Sequence, residues 1–457
     1  MGDFPSHIFR AYDIRGVFGK DLTPEIMLDI GLALGTMMKR KEMGNEIVIG
    51  NDIRMSSEAL SHALVSGLRS SGINVTDVGT VPFGVCFFSG WKLKSGVTAF
   101  VTASHLGPEW NGLKMRTGEG ISFTEENNRE IGRMVRDKEF EITPEKTGNY
   151  RTYDMKEDYA EFLNGRFKIN KKLKVVVDCG NGSMCISAPK ILEKLGFEVV
   201  RLFCDIDSNF PNRPSEPTPQ NIRSLVAKVL EEKADFGIAF DGDGDRAALV
   251  DDKGRVLTGN ENGLIIGRNI LEKKKGKIIV TVACSMSFER QLQPLGAEIV
   301  RIQVGDTYVV AECKKQKAIL GVEESNHMVM PDYFAFDDSM LIPLKISEII
   351  CASGKRLSDI IGEFRLYPFE EVVFKCPEKD KFKVVENIQK RLSAKYEKAN
   401  TIDGIRIEFE DGWALMRAAN TSPKIRLSIE SESDEGLKKL KEEFSKIVED
   451  EIKAVSG

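Results

Sequence analysis

The amino-acid sequence predicts an α/β protein in which three similar mixed-sheet domains precede a smaller C-terminal α+β domain. One order of elements occurs three times, beginning at Glu46, Lys174 and Lys277: a strand, a polar loop, a helix, a glycine and a short strand. Such alternation is typical of open α/β sheets. Spacings of about 100–130 residues indicate related domains rather than a short-period solenoid. The remaining residues, from 369 onward, end in a charged helical stretch that begins at Asp434.

Each element of the repeat follows from its residue pattern. The first strands are rich in β-branched residues and lie at 46–50, 174–178 and 277–281. Polar loops follow at 51–57, 179–183 and 282–285. We expect the helices after these loops to end near Ser70, Leu195 and Leu295. The short strands that close the repeat begin with a glycine and lie at 72–75, 196–200 and 296–300.

Length and turn-forming residues divide the chain into four domains. A chain of 457 residues is too long for a single hydrophobic core. Breaks rich in proline, glycine and charged residues fall at 143–148, 251–254 and 367–368. The predicted domains are therefore 1–150, 151–253, 254–368 and 369–457.

Composition argues against several classes of partner. The net charge is −5, from 65 basic and 70 acidic residues, and no basic stripe alternates with aromatic residues, so no nucleic-acid partner is indicated. We expect no membrane association, since apolar runs are shorter than a membrane span and no charged-then-apolar leader opens the chain. The eight cysteines form no C-x-x-C pair. We therefore expect free thiols and a cytoplasmic location.

The segment Asp241-Gly-Asp-Gly-Asp-Arg246 predicts a metal site. Its three aspartates alternate with glycines, and strand-like apolar runs flank the segment on both sides. Alternate residues of an extended segment point the same way, so the three carboxylates can converge. Such carboxylates repel one another unless a cation lies among them, and hard oxygen ligands suit Mg²⁺. A solvated Asp-Gly hairpin turn is the alternative. An EF-hand fits less well, since Arg246 stands where its glycine belongs and Asp252 replaces its closing glutamate.

A Ser-His pair follows the predicted strand at 97–101. Ser104 and His105 thus lie at a strand's end, where open α/β sheets bind ligands. A hydrolase would need a G-x-S-x-G elbow, which is absent. An inert Ser-His pair is the alternative. The proline-rich stretch 210–219 excludes regular structure, and we expect it to cover or border a site.

Two further polar loops offer groups suited to a sugar phosphate. Residues 321–327 bring carboxylates, a hydroxyl and an imidazole, which bind sugar hydroxyls, although a plain polar turn fits too. Residues 417–424 combine arginine, amide, hydroxyl and lysine groups with small residues. That set suits a phosphate dianion, with a basic surface turn as the alternative. The near-terminal segment at 9–16 adds Arg15.

Taken in order, these segments resemble the motifs of the α-D-phosphohexomutase superfamily over essentially the whole chain. That family has three similar α/β domains and a smaller fourth around a central cleft, with one active-site loop from each. The matching segments are the phosphoserine loop at 102–114, the metal loop at 241–246, the sugar loop at 321–327, the phosphate loop at 417–423 and the F-P-N segment in 210–219.

The resemblance implies a role for each loop. Phosphorylated Ser104 would exchange its phosphoryl group with a hexose monophosphate through a hexose 1,6-bisphosphate, which also serves as activator. Mg²⁺ would be held by Ser104 and by Asp241, Asp243 and Asp245. The implied catalytic residues are Ser104, Arg15, Lys114, His327 and Arg246. The implied substrate-binding residues are His105, Glu323, Ser325, Arg417, Asn420 and Thr421.

The segment at 9–16 resembles the phosphomannomutase/phosphoglucomutase branch, and Asn420 agrees with it. We therefore expect mannose and glucose phosphates as substrates, with phosphoglucosamine mutase as the alternative. Leu106 and Gly107 replace the family's Asn-Pro, and Ala419 removes a hydroxyl from the phosphate loop. These departures leave open a non-catalytic sugar-phosphate sensor. Homo-oligomeric assembly is also open.

Overall fold

The computed structural model describes residues 4–10, 12–334, 336–419 and 422–456. The strands are β1 (Ile14–Val17), β2 (Glu46–Asn51), β3 (Asn74–Thr80), β4 (Val97–Val101), β5 (Trp110–Thr117), β6 (Tyr150–Thr152), β7 (Lys174–Asp178), β8 (Glu198–Leu202), β9 (Phe236–Phe240), β10 (Ala247–Asp251), β11 (Val256–Leu257), β12 (Gly276–Thr281), β13 (Ala297–Ile302), β14 (Leu320–Val322), β15 (Met328–Val329), β16 (Phe369–Lys375), β17 (Ile405–Glu408), β18 (Gly412–Ala418) and β19 (Lys424–Ser431).

The helices are α1 (Pro24–Arg40), α2 (Ser57–Ser70), α3 (Phe83–Leu93), α4 (Glu125–Asp137), α5 (Lys156–Asn164), α6 (Ala188–Lys194), α7 (Arg223–Glu232), α8 (Gly259–Leu271), α9 (Asp306–Gln316), α10 (Leu341–Ser353), α11 (Leu357–Gly362), α12 (Lys381–Ser393) and α13 (Asp434–Ser456). Short 3₁₀ turns lie at Ser6–Ile8, Ser183–Ile186 and Gln293–Leu295, and a π-helical turn lies at Phe288–Leu292. Among the helices of the described ranges, none is long and apolar enough to cross a membrane.

The chain folds into two compact units. The first takes the described residues of Met1–Asn262 and Ser325–Ile360, and the second takes those of Gly263–Glu324 and Ile361–Gly457. Within the first unit, one sheet has the order β1-β5-β4-β2-β3-β6 and another the order β11-β10-β9-β7-β8. Both sheets are mixed: β2, β3 and β4 run parallel, as do β7, β8 and β9, whereas β5 and β10 run antiparallel to their neighbours.

The second unit contains two different sheets. Strands β13, β12 and β14 run parallel. Strands β16, β19, β18 and β17 form an antiparallel sheet, against which α12 and α13 pack. The predicted α/β repeat and the smaller α+β end of the chain are thus both present.

The third copy of the repeat departs from its prediction. The expected regular helix ending at Leu295 is instead a π-helical turn at Phe288–Leu292 followed by a 3₁₀ turn. Pro294 lies in that second turn, and proline has no N–H to continue α-helical hydrogen bonding. The first two copies do contain regular helices, α2 and α6.

Buried strands end where the polar loops begin. All five residues of β4 are buried, and so are all five of β9. Val101 ends β4 directly before Thr102, and Phe240 ends β9 directly before Asp241. Strands β4 and β9 belong to different sheets, and each loop lies at the carboxyl end of the parallel strands of its own sheet, where α/β folds bind ligands.

Helices α1 and α2 cross at two glycines. A Cβ on Gly31 would lie 2.4 Å from the carbonyl oxygen of Leu64, and a Cβ on Gly67 would lie 2.2 Å from that of Leu28. Real side chains do not approach a backbone oxygen so closely. The crossing therefore requires glycine at both positions.

We predict that Gly67→Ala destabilises the first unit by about 1–3 kcal/mol through overpacking. A loss of 1 kcal/mol lowers the melting temperature of a unit this size by roughly 2–4 °C. Differential scanning calorimetry would show the shift. Gly165→Ala is the matched control, since its nearest atom lies 3.7 Å away; equal melting temperatures for the two variants would contradict the packing argument.

Candidate active site

Ser104 is held in an unusual backbone conformation at the end of β4. Its φ is +53°, a region that non-glycine residues seldom occupy and that costs of order 1–3 kcal/mol. The side chain of Thr102 accepts a hydrogen bond of 2.9 Å from the Ser104 N–H. Ser104 is 1% exposed, and its hydroxyl donates to Asp241 Oδ2 at 3.1 Å. The turn therefore presents the hydroxyl to the predicted metal loop.

Arg54 supports the backbone of the Ser104 loop. Its guanidinium donates to the carbonyl oxygens of Ser104, Leu106 and Gly107 at 2.9, 2.7 and 2.5 Å. Asp52 pairs with it at 2.9 Å and also lies 2.8 Å from Thr102 Oγ1. Arg54 and Asp52 are 3% and 2% exposed. This buried ion pair stiffens a loop that contains Leu106-Gly107 in place of proline.

The three aspartates of the 241–246 loop converge. Asp241, Asp243 and Asp245 are buried and each offers a carboxylate oxygen, these oxygens lying within 4.8 Å of one another. Asp241 Oδ1 accepts hydrogen bonds from the N–H groups of Gly244 and Arg246 at 3.0 and 3.1 Å. Burial and the two neighbouring carboxylates raise the pKa of Asp241 well above its ordinary value. A cation beside the three carboxylates would therefore stabilise the ionised form of Asp241.

Lys114, on β5, provides a protein cation beside the carboxylates. Its Nζ donates to Asp243 Oδ2 at 3.0 Å and also contacts Asp245 Oδ2. Although burial opposes its charge, Asp243 and Asp245 raise the pKa of Lys114 above its ordinary value. Burial works against ionised Asp245 as well, yet Lys114 holds the pKa of this carboxyl well below its usual range. Arg246 Nε lies 3.8 Å from Asp245 Oδ1, so two protein cations stand against three carboxylates and offset only part of their charge.

The remaining oxygen atoms fit a divalent cation. In the part of the chain that the structure describes, Asp243 Oδ1 and Asp245 Oδ1 are buried and have no hydrogen-bond partner. Unpartnered buried carboxylate oxygens are costly. Three carboxylate ligands within 4.8 Å of one another are a donor set suited to Mg²⁺ or Mn²⁺. The residues present therefore fit the metal that the sequence predicts.

His327 is oriented by two partners in the first unit. Its Nδ1 lies 3.0 Å from Asp337 Oδ2, and its Nε2 lies 3.2 Å from Arg246 Nε. Because arginine can only donate, Nε2 accepts, so Nδ1 carries the proton and donates to Asp337. Arg116 donates to the other oxygen of Asp337 at 2.6 Å. Burial opposes ionised Asp337, but Arg116 and His327 hold its pKa below the usual range.

The proline-rich stretch 210–219 contacts the site loops, as expected. Ser215 Oγ accepts from the Gly242 N–H at 2.9 Å and donates to the carbonyl oxygen of Ser104 at 3.3 Å. Buried Arg213 pairs with Asp178 at the end of β7, at 2.8 Å, and donates to the carbonyl oxygen of Phe240 at 2.6 Å. The stretch therefore ties the Ser104 loop to the metal loop.

Arg15 and His105 are two further predicted site residues in the first unit. Arg15, on β1, pairs with Asp13 at 2.6 Å and lies 3.4 Å from the carbonyl oxygen of Ala103. Burial, together with the charges of Arg246 and Arg15, lowers the pKa of half-buried His105 to about 2. His105 is therefore neutral at physiological pH and suited to hydrogen bonding rather than to ion pairing.

The sugar and phosphate loops lie largely in the second unit. Glu323 accepts from the Gly305 N–H at 2.9 Å, while Ser325 is a half-buried residue of the first unit. Burial and the charge of Glu371 raise the pKa of the adjacent Glu324 to about 7. Arg417, near the end of β18, lies 3.6 Å from Asp403 Oδ2.

The predicted phosphate loop joins the antiparallel strands β18 and β19. Asn420 and Thr421 lie outside the described residues. Lys381, which is fully buried, donates to the carbonyl oxygens of Ala419 and Ser422 at 2.7 and 3.2 Å. Lys381 thus contacts the described residues on either side of Asn420 and Thr421.

Sequence reasoning missed the buried cations that position these loops. Arg54, Arg116, Arg213 and Lys381 are each nearly or fully buried. Arg54 lies in a polar loop that directly follows a strand, which was an available signal. Arg116 and Lys381 carry no local signal, because their partners are distant in sequence.

Four consecutive stretches match the phosphoglucomutase/phosphomannomutase family. Residues 6–142, 157–254 and 258–367 match its alpha/beta/alpha domains I, II and III, and residues 371–447 match its C-terminal domain. These matches confirm the predicted order of three similar α/β domains and a smaller fourth. The exact boundaries at 150, 253 and 368 stay predictions.

Proteins with related names are similar over nearly the whole chain. A probable phosphoglucosamine mutase of Methanopyrus kandleri is 34% identical, covering 96% of this chain and 97% of that protein. A phosphomannomutase/phosphoglucomutase of Pseudomonas putida is 33% identical, covering 96% and 95%.

A solved structure gives the same result. The crystal structure of a phosphoglucomutase/phosphomannomutase family protein from Burkholderia thailandensis superposes with a TM-score of 0.91, at 32% identity, over 98% of both chains. The family's members are phosphohexomutases, which are intramolecular phosphotransferases. The chain belongs to the phosphoglucomutase/phosphomannomutase family of the α-D-phosphohexomutase superfamily.

Proposed function

We propose that the chain interconverts the 1-phosphates and 6-phosphates of mannose and glucose through a phosphoserine at Ser104. The observation that carries the proposal is the Ser104 hydroxyl, which lies 3.1 Å from Asp241 in a buried turn that three other residues hold in place. The φ of +53° supports the proposal because it is found together with burial of the hydroxyl and its contact with Asp241. The sequence-based expectations of a cytoplasmic location and of a homo-oligomer stay open.

In the first half-reaction, the phosphoryl group of phosphorylated Ser104 passes to the free hydroxyl of a hexose monophosphate. The O–P bond to serine breaks, a new O–P bond forms to the sugar, and the hydroxyl proton leaves. The bisphosphate then turns over and returns its other phosphoryl group to Ser104. Phosphoryl transfer of this kind depends mainly on positioning and on charge stabilisation.

The groups around Ser104 are suited both to positioning the phosphoryl group and to stabilising its charge. Mg²⁺ held by Asp241, Asp243, Asp245 and an oxygen of phosphorylated Ser104 would offset negative charge on the transferring group. Lys114 adds a second cation, which lies on Asp243 at 3.0 Å.

Three residues are candidates for moving the hydroxyl proton: Arg15, Lys114 and His327. His327 Nε2 is engaged by Arg246 at 3.2 Å, so it would accept a proton only after that hydrogen bond breaks. Arg246 also pairs with Glu216 at 3.1 Å. A turn of the guanidinium toward Glu216 would therefore free the imidazole.

The other end of the substrate would be bound by the sugar and phosphate loops. We assign the non-reacting phosphate to Arg417, Asn420 and Thr421, because a guanidinium binds a phosphate dianion bidentately. Glu323, Ser325 and His105 would bind sugar hydroxyls. A hexose 1,6-bisphosphate would serve as the activator that first phosphorylates Ser104.

Phosphoglucosamine mutase is the second candidate function. The relative from Methanopyrus kandleri and another from Pyrococcus abyssi carry the name probable phosphoglucosamine mutase, at 34% and 35% identity. A relative from Thermococcus kodakarensis, 32% identical, is named phosphoglucomutase/phosphomannomutase. Identity at this level does not separate the two substrates. The argument for mannose and glucose therefore rests on the segment at 9–16.

A sensor without catalysis is the remaining alternative, and the Arg54 contacts argue against it. The sensor hypothesis rests on Leu106 and Gly107, which would loosen the serine loop, and on Ala419, which removes a hydroxyl from the phosphate loop. The Arg54 contacts bear on the first two. Arg54 hydrogen-bonds to the carbonyl oxygens of both residues, at 2.7 and 2.5 Å. The loop therefore keeps a defined backbone without the family's proline.

We predict that the protein, with Mg²⁺ and a trace of hexose 1,6-bisphosphate, converts mannose and glucose 1-phosphates to the 6-phosphates. The reaction is followed by ³¹P NMR, with glucosamine 1-phosphate as a third substrate. Turnover of glucosamine 1-phosphate alone would replace the first candidate by the second. No turnover of any of the three would leave the sensor.

Ser104→Ala is the control for this experiment. It removes the phosphoryl acceptor but leaves the metal loop intact, so turnover should vanish while hexose-phosphate binding persists. Intact mass spectrometry should show a phosphoryl group on the wild-type protein after incubation with bisphosphate and none on the variant. Full activity of Ser104→Ala would contradict the phosphoserine mechanism.

We predict that Arg54→Lys lowers kcat roughly 10- to 100-fold, as misplacement by about 1 Å does, and changes KM little. Lysine keeps the charge but lacks the planar fork that reaches several carbonyl oxygens. Arg69→Lys is the matched control, because Arg69 donates to the carbonyl oxygen of Gly148, away from Ser104. An unchanged kcat for Arg54→Lys in a normally folded protein would contradict the positioning role.

A further inference from the structure

Two thiols lie side by side where the neighbouring strands β7 and β8 end. Cys179 directly follows β7, and its N–H donates to the carbonyl oxygen of Leu202, the last residue of β8, at 3.2 Å. Cys204 follows two residues after Leu202. The two Sγ atoms are 3.3 Å apart. All eight cysteines of the chain are free thiols.

We propose that Cys179 and Cys204 form a reversible oxidation site, at which a peroxide converts the two thiols into an intrachain disulfide. A disulfide bond is about 2.05 Å long, so the sulfur atoms need to approach by little more than 1 Å from their 3.3 Å separation. The ends of adjacent parallel strands lie at a spacing that a disulfide spans.

The two thiols differ in a way that assigns their roles. Cys204 is half-buried, whereas Cys179 is fully buried. Contact with the Cys179 thiol lowers the pKa of Cys204, while burial raises the pKa of Cys179 well above its ordinary value. Because the thiolate is the nucleophile, Cys204 reacts first and Cys179 second.

The chemistry balances with peroxide as the oxidant. The Cys204 thiolate attacks one peroxide oxygen, the O–O bond breaks, and hydroxide leaves, which gives a sulfenic acid. The sulfur of Cys179 then displaces the sulfenic hydroxyl as water, and the S–S bond forms. In total, two thiols and one hydrogen peroxide give one disulfide and two waters. A dithiol reductant reverses the change by thiol–disulfide exchange.

A third thiol, Cys185, is the competing partner. It is half-buried, lies close enough to Cys179 to affect its pKa, and is 3.7 Å from the carbonyl oxygen of Phe203. In the part of the chain that the structure describes, these three thiols are not among the groups whose potential metal-ligand atoms all lie within 4.8 Å of one another. The geometry therefore favours a pairwise oxidation over a thiolate metal site.

A disulfide between Cys179 and Cys204 would also shift the metal loop at 241–246. Cys179 begins the loop 179–183, and the N–H of Ser183 at its end donates to the carbonyl oxygen of Gly242 at 2.9 Å. A Cβ on Gly182 would lie 2.7 Å from that same oxygen, so the two loops touch closely. A shift of about 1 Å at Cys179 should therefore lower turnover roughly 10- to 100-fold. This last step alone rests on the proposed function.

The test treats the folded, full-length protein with hydrogen peroxide and measures its intact mass and peptide map. We expect the loss of two hydrogens, a Cys179–Cys204 cross-linked peptide, and full reversal by dithiothreitol. Cys204→Ser should abolish the cross-link. Cys185→Ser, in the same cluster, should leave the cross-link unchanged.

The same experiment separates its own failure from that of the mutase proposal. No cross-link in the folded wild-type protein, or one that joins Cys179 to Cys185, would overturn the assignment whatever the activity. A Cys179–Cys204 cross-link in a protein without mutase activity would support the oxidation site while the proposed function fails. A cross-link that leaves turnover unchanged would overturn the coupling to the metal loop.

Discussion

The mutual repulsion of three buried carboxylates is the constraint on which the rest of the first unit depends. Asp241, Asp243 and Asp245 offer oxygen atoms within 4.8 Å of one another, and such charges in a poorly hydrated site need compensating cations. Lys114 supplies one, and two carboxylate oxygens keep no hydrogen-bond partner among the residues that the structure describes. A divalent cation would compensate the negative charge that remains on these carboxylates.

Buried ion pairs hold the backbone of the neighbouring loops in place. Asp52 with Arg54 supports the Ser104 turn, and Asp178 with Arg213 supports the end of β9. Breaking such a pair leaves an uncompensated buried charge, which costs several kcal/mol. The loops are therefore rigid without regular secondary structure. These contacts fix the position of the Ser104 hydroxyl beside Asp241.

The fold and the loops that carry the polar groups can be predicted from local sequence. The buried cations that hold these loops in place cannot. Alternating strand and helix patterns predict the α/β domains, and the spacing of Asp241, Asp243 and Asp245 predicts convergence. The π-helical turn near Pro294 was not predicted. The expectation of a regular helix came from the order of strand, loop, helix and glycine, which does not include the backbone hydrogen bond that Pro294 cannot donate. Arg116 and Lys381 escaped because their partners are 221 and 38 residues away. Long-range burial, rather than local pattern, assigns these two cations their role.

The number of Mn²⁺ ions bound by the purified protein, measured by electron paramagnetic resonance, shows whether the three aspartates form a divalent-cation site. Mn²⁺ replaces Mg²⁺ at hard oxygen sites. We expect one tightly bound Mn²⁺ per chain, which Asp243→Asn loses. Asp252→Asn should keep it, because the Asp252 carboxylate accepts hydrogen bonds from Ser358 instead. A wild-type protein that binds no Mn²⁺, or an Asp243→Asn variant that binds it equally well, would contradict a cation site at these carboxylates.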